Sequence, residues 1–221
     1  MHDNFPELLS FKNDYVFKSI LTKPESGLIR NSMISAFTGL KIVESTVIEN
    51  EPAINESVFE KQIRFDVNCK TADGELVNIE MQTHPMPLDT LENGRESLRA
   101  RSVYYITKLF LDQGNSEYDS MKRTFQIMIC GFNVFGDDKF IHHFYFADKE
   151  TVLGKLLCII YVELPKIVDK VNTPFSELTD EERWAILIEN ADKKNFTAKA
   201  EEYMDREDFS MAMDMLSSFS R

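Results

Sequence analysis

Residues 64–82 read Arg-Phe-Asp-Val-Asn-Cys-Lys-Thr-Ala-Asp-Gly-Glu-Leu-Val-Asn-Ile-Glu-Met-Gln. Apolar and polar residues alternate on both sides of an Asp-Gly pair. That is the pattern of two half-buried strands joined by a tight turn. A two-residue turn on Asp73-Gly74 pairs Val67 with Glu80 and Asp66 with Met81. Both faces of the ribbon are then mixed, which a half-buried sheet resists. A three-residue turn, Ala72-Asp73-Gly74 with Gly74 left-handed, shifts the pairing by one. Phe65 then faces Met81, Val67 faces Ile79 and Cys69 faces Val77, all on one apolar side. The other side pairs Arg64 with Gln82, Asp66 with Glu80 and Asn68 with Asn78. The apolar pattern therefore selects the register that sets two carboxylates opposite each other.

Like charges so placed cost roughly 0.2–1 kcal/mol. Unless relieved, one of the two tends to take up a proton. Mg²⁺ relieves such a pair, being a hard ion that takes one or two carboxylates, several waters and phosphate oxygens. The plain alternative is neutralisation by Arg64 or Lys70 on the same face.

The remaining chain predicts a packed α/β protein. It has 221 residues, 43% of them hydrophobic, with 17 Phe and 10 Met. That supports a thick core and argues against disorder. No apolar run approaches the roughly 20 residues of a membrane span, so no membrane partner is expected. The N-terminal residues lack the pattern of a signal peptide. Cys69, Cys130 and Cys158 are odd in number and widely spaced, which predicts buried, reduced thiols of a cytoplasmic protein. The net charge of -12 opposes indiscriminate binding of polyanions.

Helical spacing is found over 11–22, from Pro24 to near Gly39, over 88–113 with Gly114 as cap, and from Ala198 onward. A capping-box pattern at Thr179-Asp-Glu-Glu182 opens a further helix. Strands are predicted at 41–49, 58–70 and 75–82, with a loop over 50–57. Phe125–Phe135 and Ile141–Phe146 are read as a hairpin, and 155–164 as a strand or a helix. His142 and His143 point to opposite faces of a strand, poor geometry for one metal. Arg95 and Arg99 share one face of the 88–113 helix, with Arg101 set apart.

Lys12-Asn-Asp14-Tyr-Val-Phe17-Lys18, Phe65-Asp66-Val67 and Asp73-Gly74-Glu75 come first in a series of short motifs. Asn78-Ile79-Glu80-Met81-Gln82, Arg101-Ser-Val-Tyr104-Tyr105 and Glu163-Leu-Pro-Lys166 follow in order. Over residues 8–166 the chain resembles the recombination-promoting nuclease and transposase family of the PD-(D/E)XK nuclease superfamily. The resemblance implies a restriction-endonuclease-like α/β core, a mixed central sheet flanked by helices, over residues 1–170. Residues 171–221 would form a helical C-terminal extension. It further implies hydrolysis of DNA phosphodiesters with Mg²⁺ or Mn²⁺.

Asp66, Glu80 and Gln82 match the family's catalytic positions. Asp66, Glu80 and the Met81 carbonyl would hold the metal, and Gln82 would orient the attacking water. Lys61 and Arg101 are candidate phosphate contacts, Arg101 being equally suited to bonding an acidic partner. Asp14 or Glu25 would add an outer-shell carboxylate. DNA is the expected partner, and a homodimer is admitted. Two departures stand out: Phe65 replaces the Pro before Asp66, and Gln82 replaces the Lys of the superfamily pattern. Gln cannot carry charge or exchange a proton at neutral pH. A catalytically silent descendant, acting as an interaction or regulatory module, is therefore the competing expectation.

Overall fold

The computed structural model describes residues 9–48, 66–114, 117–193 and 196–219. Its centre is a six-stranded mixed sheet in the order β1-β2-β3-β4-β6-β5. The strands are β1 (Ser45–Val47), β2 (Val67–Thr71), β3 (Leu76–Gln82), β4 (Thr124–Cys130), β5 (Ile141–Ala147) and β6 (Val152–Glu163). The pairs β3/β4 and β4/β6 are parallel, and the others are antiparallel.

The ribbon pairs as the apolar pattern requires. Val67 faces Ile79, Asn68 faces Asn78 and Cys69 faces Val77. Thr71 N donates to Glu75 O, which leaves Ala72, Asp73 and Gly74 in the turn. Gly74 sits at φ +91°, which L side chains rarely adopt. Phe65, Arg64 and Lys61 lie outside the described residues, as does the predicted loop over 50–57.

Period-two alternation gives the sheet two unlike faces. Val67, Val77, Ile79, Ile127 and Ile160 point to one of them. There α1 (Asp14–Thr22), α2 (Gly27–Thr38), α4 (Asp180–Asn190) and α6 (Glu207–Ser218) add Phe17, Phe37, Trp184 and Phe209 to one fully buried cluster. The cluster includes side chains from beyond residue 171, and α5 (Thr197–Met204) buries Tyr203 in it. The capping box at the start of α4 forms: Glu182 N donates to Thr179 Oγ1 and Thr179 N to Glu182 Oε2.

The second face is covered differently. α3 (Leu91–Leu111) connects β3 to β4 and lays Leu98 against Met128, Cys130 and Tyr161. Nearer β2 that face is polar. Asn78 Nδ2 donates to Asn68 Oδ1 (3.0 Å), and Gln126 Nε2 donates to Asn78 Oδ1 (2.5 Å).

The expected hairpin over 125–146 does not form. β4 pairs in parallel with β3 and β6, whereas among the described residues β5 pairs with β6 alone. Every residue of β4 is buried, as suits a central parallel strand. The run at 155–164 is a strand, and β6 takes the inner place beside β4. The hairpin expectation takes neighbours in sequence as neighbours in space, and apolar periodicity does not distinguish the two.

Cys69, Cys130 and Cys158 are free and buried, as expected. Burial pushes the Cys69 thiol up to about 12 and the Cys158 thiol up to about 11. No helix among the described residues is long and apolar enough to cross a membrane.

Gly94 fixes how α3 seats. A Cβ added there would lie 2.6 Å from the Met86 carbonyl oxygen. In an open helix Gly→Ala stabilises by up to about 1 kcal/mol. Here Gly94→Ala is expected to destabilise by roughly 1–3 kcal/mol, because backbone must shift. Urea denaturation reads the sign, and a raised midpoint would count against this packing.

Candidate active site

Asp66 immediately precedes β2, and Glu80 and Gln82 lie on β3. The turn brings Asp66 and Glu80 together: Asp66 N donates to Glu80 Oε1 (3.1 Å), and Met81 N donates to Asp66 Oδ2 (3.1 Å). The side chains are 14% and 4% exposed respectively. Asp66 thus forms the open side of the pair and Glu80 the closed one.

Two helices each bring a cation to the pair. α1 begins at Asn13, whose side chain accepts from Val16 N. Phe17, Ile20 and Leu21 fix one face of α1 in the core, and Lys18 projects from it toward Asp66. Lys18 Nζ is 2.9 Å from Asp66 Oδ1 and 3.1 Å from the Asp14 carboxylate one turn earlier. Burial opposes its charge, but the bonds to Asp66 and Asp14 outweigh it and raise its pKa. α3 supplies Arg101. Its NH2 donates to Gln82 Oε1 (3.0 Å) and lies 3.6 Å from Glu80 Oε2. The guanidinium also stands over the Tyr105 ring. Its Nε is buried without a hydrogen-bond partner among the described residues.

These cations do not fully relieve Glu80. Burial, and then the charge of Asp66, push its carboxyl up to about 7, while the Asp66 amide and Arg101 offset only part of that. Hard oxygen donors and incompletely neutralised charge suit a divalent cation of the Mg²⁺ type. Among the described residues, no three His, Cys, Asp or Glu side chains are placed to hold a metal ion. An ion held here would have two carboxylates as its charged donors, which suits one that keeps waters or phosphate in its shell.

The other sequence candidates separate. Asp14 reaches Asp66 through Lys18. Glu25 is exposed. Gln82 Nε2 is tied to the His84 carbonyl oxygen (2.7 Å). Arg95 and Arg99 pair with Glu92, and they donate to the Asn133 and Val134 carbonyls respectively. They are not part of the site. His143 Nε2 lies 2.9 Å from the Phe37 carbonyl oxygen, while His142 sits beside Glu163 and Asp137. Lys18 was missed as a site residue, although its i, i+4 spacing from Asp14 was visible.

A model of the PD-(D/E)XK nuclease family transposases matches residues 11–221, nearly the whole chain. The chain belongs to this family. The mixed sheet with flanking helices is the restriction-endonuclease-like fold expected of a PD-(D/E)XK nuclease family transposase. Comparison with curated proteins and with solved structures gave no match. Within this family member, the resemblance motifs divide between the carboxylate pair and the frame around it. Glu163 accepts from Val134 N and Phe135 N and pairs with Lys166. Glu75 joins Thr71 to Arg123, and Lys12 pairs with Glu189.

Glu80 gives the metal-free protein a pH dependence with a definite sign. Its folded pKa, about 7, lies above the ordinary value of 4.5, so the folded state holds the extra proton between them. Stability from this group falls as pH rises across that window, by an amount on the order of 3 kcal/mol. In chelator, Glu80→Gln is expected to flatten the decline in melting temperature between pH 4.5 and 7. An unchanged slope would show that Glu80 is not the group responsible.

Proposed function

We propose that the protein is a metal-dependent DNA endonuclease of the transposase type. The observation that carries this reading is the convergence of Asp66 and Glu80 in a nearly closed site, with Glu80 still short of a counter-charge. Family membership supports a nuclease or transposase role and, with it, DNA as partner.

In this reading Asp66, Glu80 and the Met81 carbonyl hold Mg²⁺ or Mn²⁺. When bound, the ion supplies a Lewis acid for water and for the scissile phosphate. Gln82 orients the attacking water through its amide and takes no proton itself. Water adds to phosphorus, and the leaving ester oxygen departs with a proton. Lys18, the cation nearest Asp66, faces phosphate charge, a role the superfamily's lysine would otherwise fill from position 82. Arg101 holds Gln82 and stands as a second phosphate contact. Lys61 remains a proposed phosphate contact on the residues before β2.

A second reading has its own support. Lys18 and Arg101 already pair with the two carboxylates. A site in which each carboxylate already has a protein cation beside it suits a catalytically silent regulatory or interaction module.

Plasmid nicking separates the two readings. The nuclease reading expects cleavage that requires Mg²⁺ or Mn²⁺ and falls by about 100-fold or more in both Asp66→Ala and Glu80→Ala. Equal cleavage by all three proteins points to contamination. No cleavage by wild type, with no heat of Mg²⁺ or Mn²⁺ binding by calorimetry, leaves the silent module.

A further inference from the structure

We propose that Lys18 and the divalent cation exchange on Asp66, with Asp14 keeping the lysine's charge while the ion is held. The proposal rests on the metal-binding part of the nuclease reading. It makes α1 the carrier of a charge that steps aside.

Both oxygens of Asp66 are engaged within the protein. Oδ2 accepts from Met81 N (3.1 Å), a main-chain bond that fixes the carboxylate against β3. Oδ1 faces Lys18, 2.9 Å from Nζ. A hard cation of the Mg²⁺ type binds carboxylate oxygen at roughly 2.0–2.1 Å, so an ion on Oδ1 stands no more than about 5 Å from the ammonium. The Asp66 side chain is only 14% exposed, and water screens two like charges poorly there. The lysine and the ion therefore compete for this oxygen.

Lys18 has a second acceptor in reach. Asp14 lies one turn earlier on α1, its carboxylate 3.1 Å from Nζ and its side chain 70% exposed. An ammonium is a point charge on a flexible four-carbon stem. It can leave Asp66 and keep Asp14 by turning about that stem alone. The helix need not move, because Asn13 caps it and Val16, Phe17, Ile20 and Leu21 hold it in the core. Arg101 is placed otherwise. Its guanidinium donates to Gln82 Oε1 and stands over Tyr105, and at 3.6 Å from Glu80 Oε2 it makes no hydrogen bond that an ion would have to break.

The released ammonium is available to a phosphate oxygen. A phosphate that draws Lys18 off Asp66 then raises the affinity for the ion, and the ion raises the affinity for phosphate by the same factor.

Calorimetric titration of the full chain with Mn²⁺, without DNA, tests the exchange apart from any cleavage. Lys18→Met keeps the apolar stem and is expected to lower the Mn²⁺ dissociation constant by about 10-fold or more. Lys18→Gln replaces it if the far-UV spectrum shows that Lys18→Met does not fold. Lys149→Met removes the same charge from the exposed turn between β5 and β6 and is expected to leave the constant unchanged. Loss of a nearby charge would itself tighten binding, and a double-mutant cycle separates that from exchange. Asp14→Asn is expected to weaken Mn²⁺ binding by about 5-fold or more while Lys18 is present, and far less in Lys18→Met. An equal effect of Asp14→Asn in both backgrounds overturns the proposal, as does a Lys18→Met that binds no more tightly than wild type. Absence of Mn²⁺ binding from every protein overturns it together with the metal-dependent reading. The expected cycle in a protein that does not nick plasmid leaves the exchange standing and removes the nuclease reading alone.

Discussion

The turn at Ala72-Asp73-Gly74 is the constraint on which the rest of the site depends. One residue fewer would move Asp66 to the apolar face and Val67 to the polar one. The left-handed conformation of Gly74 permits the longer turn. Once the register is set, the sheet must accommodate two acidic side chains side by side. It does so with one cation from α1 and one from α3, helices separated by most of the chain's first hundred residues. The chain is folded so that its two flanking layers meet at the carboxylates.

Much of this was legible in the sequence because it is local. The ribbon obeys a period of two, its turn residues have a fixed chemistry, and the register follows from the apolar pattern alone. The α4 capping box and the α2 and α3 boundaries were readable for the same reason. What was illegible depends on contacts distant in sequence. Nothing within 125–146 says that β6 will stand between β4 and β5. Lys18 belongs to the site only because α1 packs where its core residues place it. Arg95 and Arg99 share one helix face, as their spacing indicates, but Glu92 and two loop carbonyls engage them.

The resemblance motifs show a further division of labour. Asp66, Glu80, Gln82 and Arg101 meet at one end of the ribbon. Glu163 and Glu75 are buried acids of another sort, held by backbone amides, a hydroxyl and nearby cations, although Glu163 Oε1 has no hydrogen-bond partner among the described residues. Their charge is offset by fixed partners in a frame. Glu80 differs in that its partners leave it with a raised pKa. An acidic side chain in a family motif therefore does not declare its role.

Several of the large aromatic side chains that close the apolar face come from the end of the chain. Trp184, Phe209 and Leu216 are fully buried against elements made much earlier. During synthesis from the N-terminus, β2, β3, β4 and β6 are all available before α4 and α6 emerge to cover them. Until then the nascent sheet presents a broad greasy surface to its surroundings. Ribosome stalling or proteolytic clipping ahead of Thr179 would leave uncovered the part of that surface that α1 and α2 do not reach, and such fragments would be natural clients for chaperones.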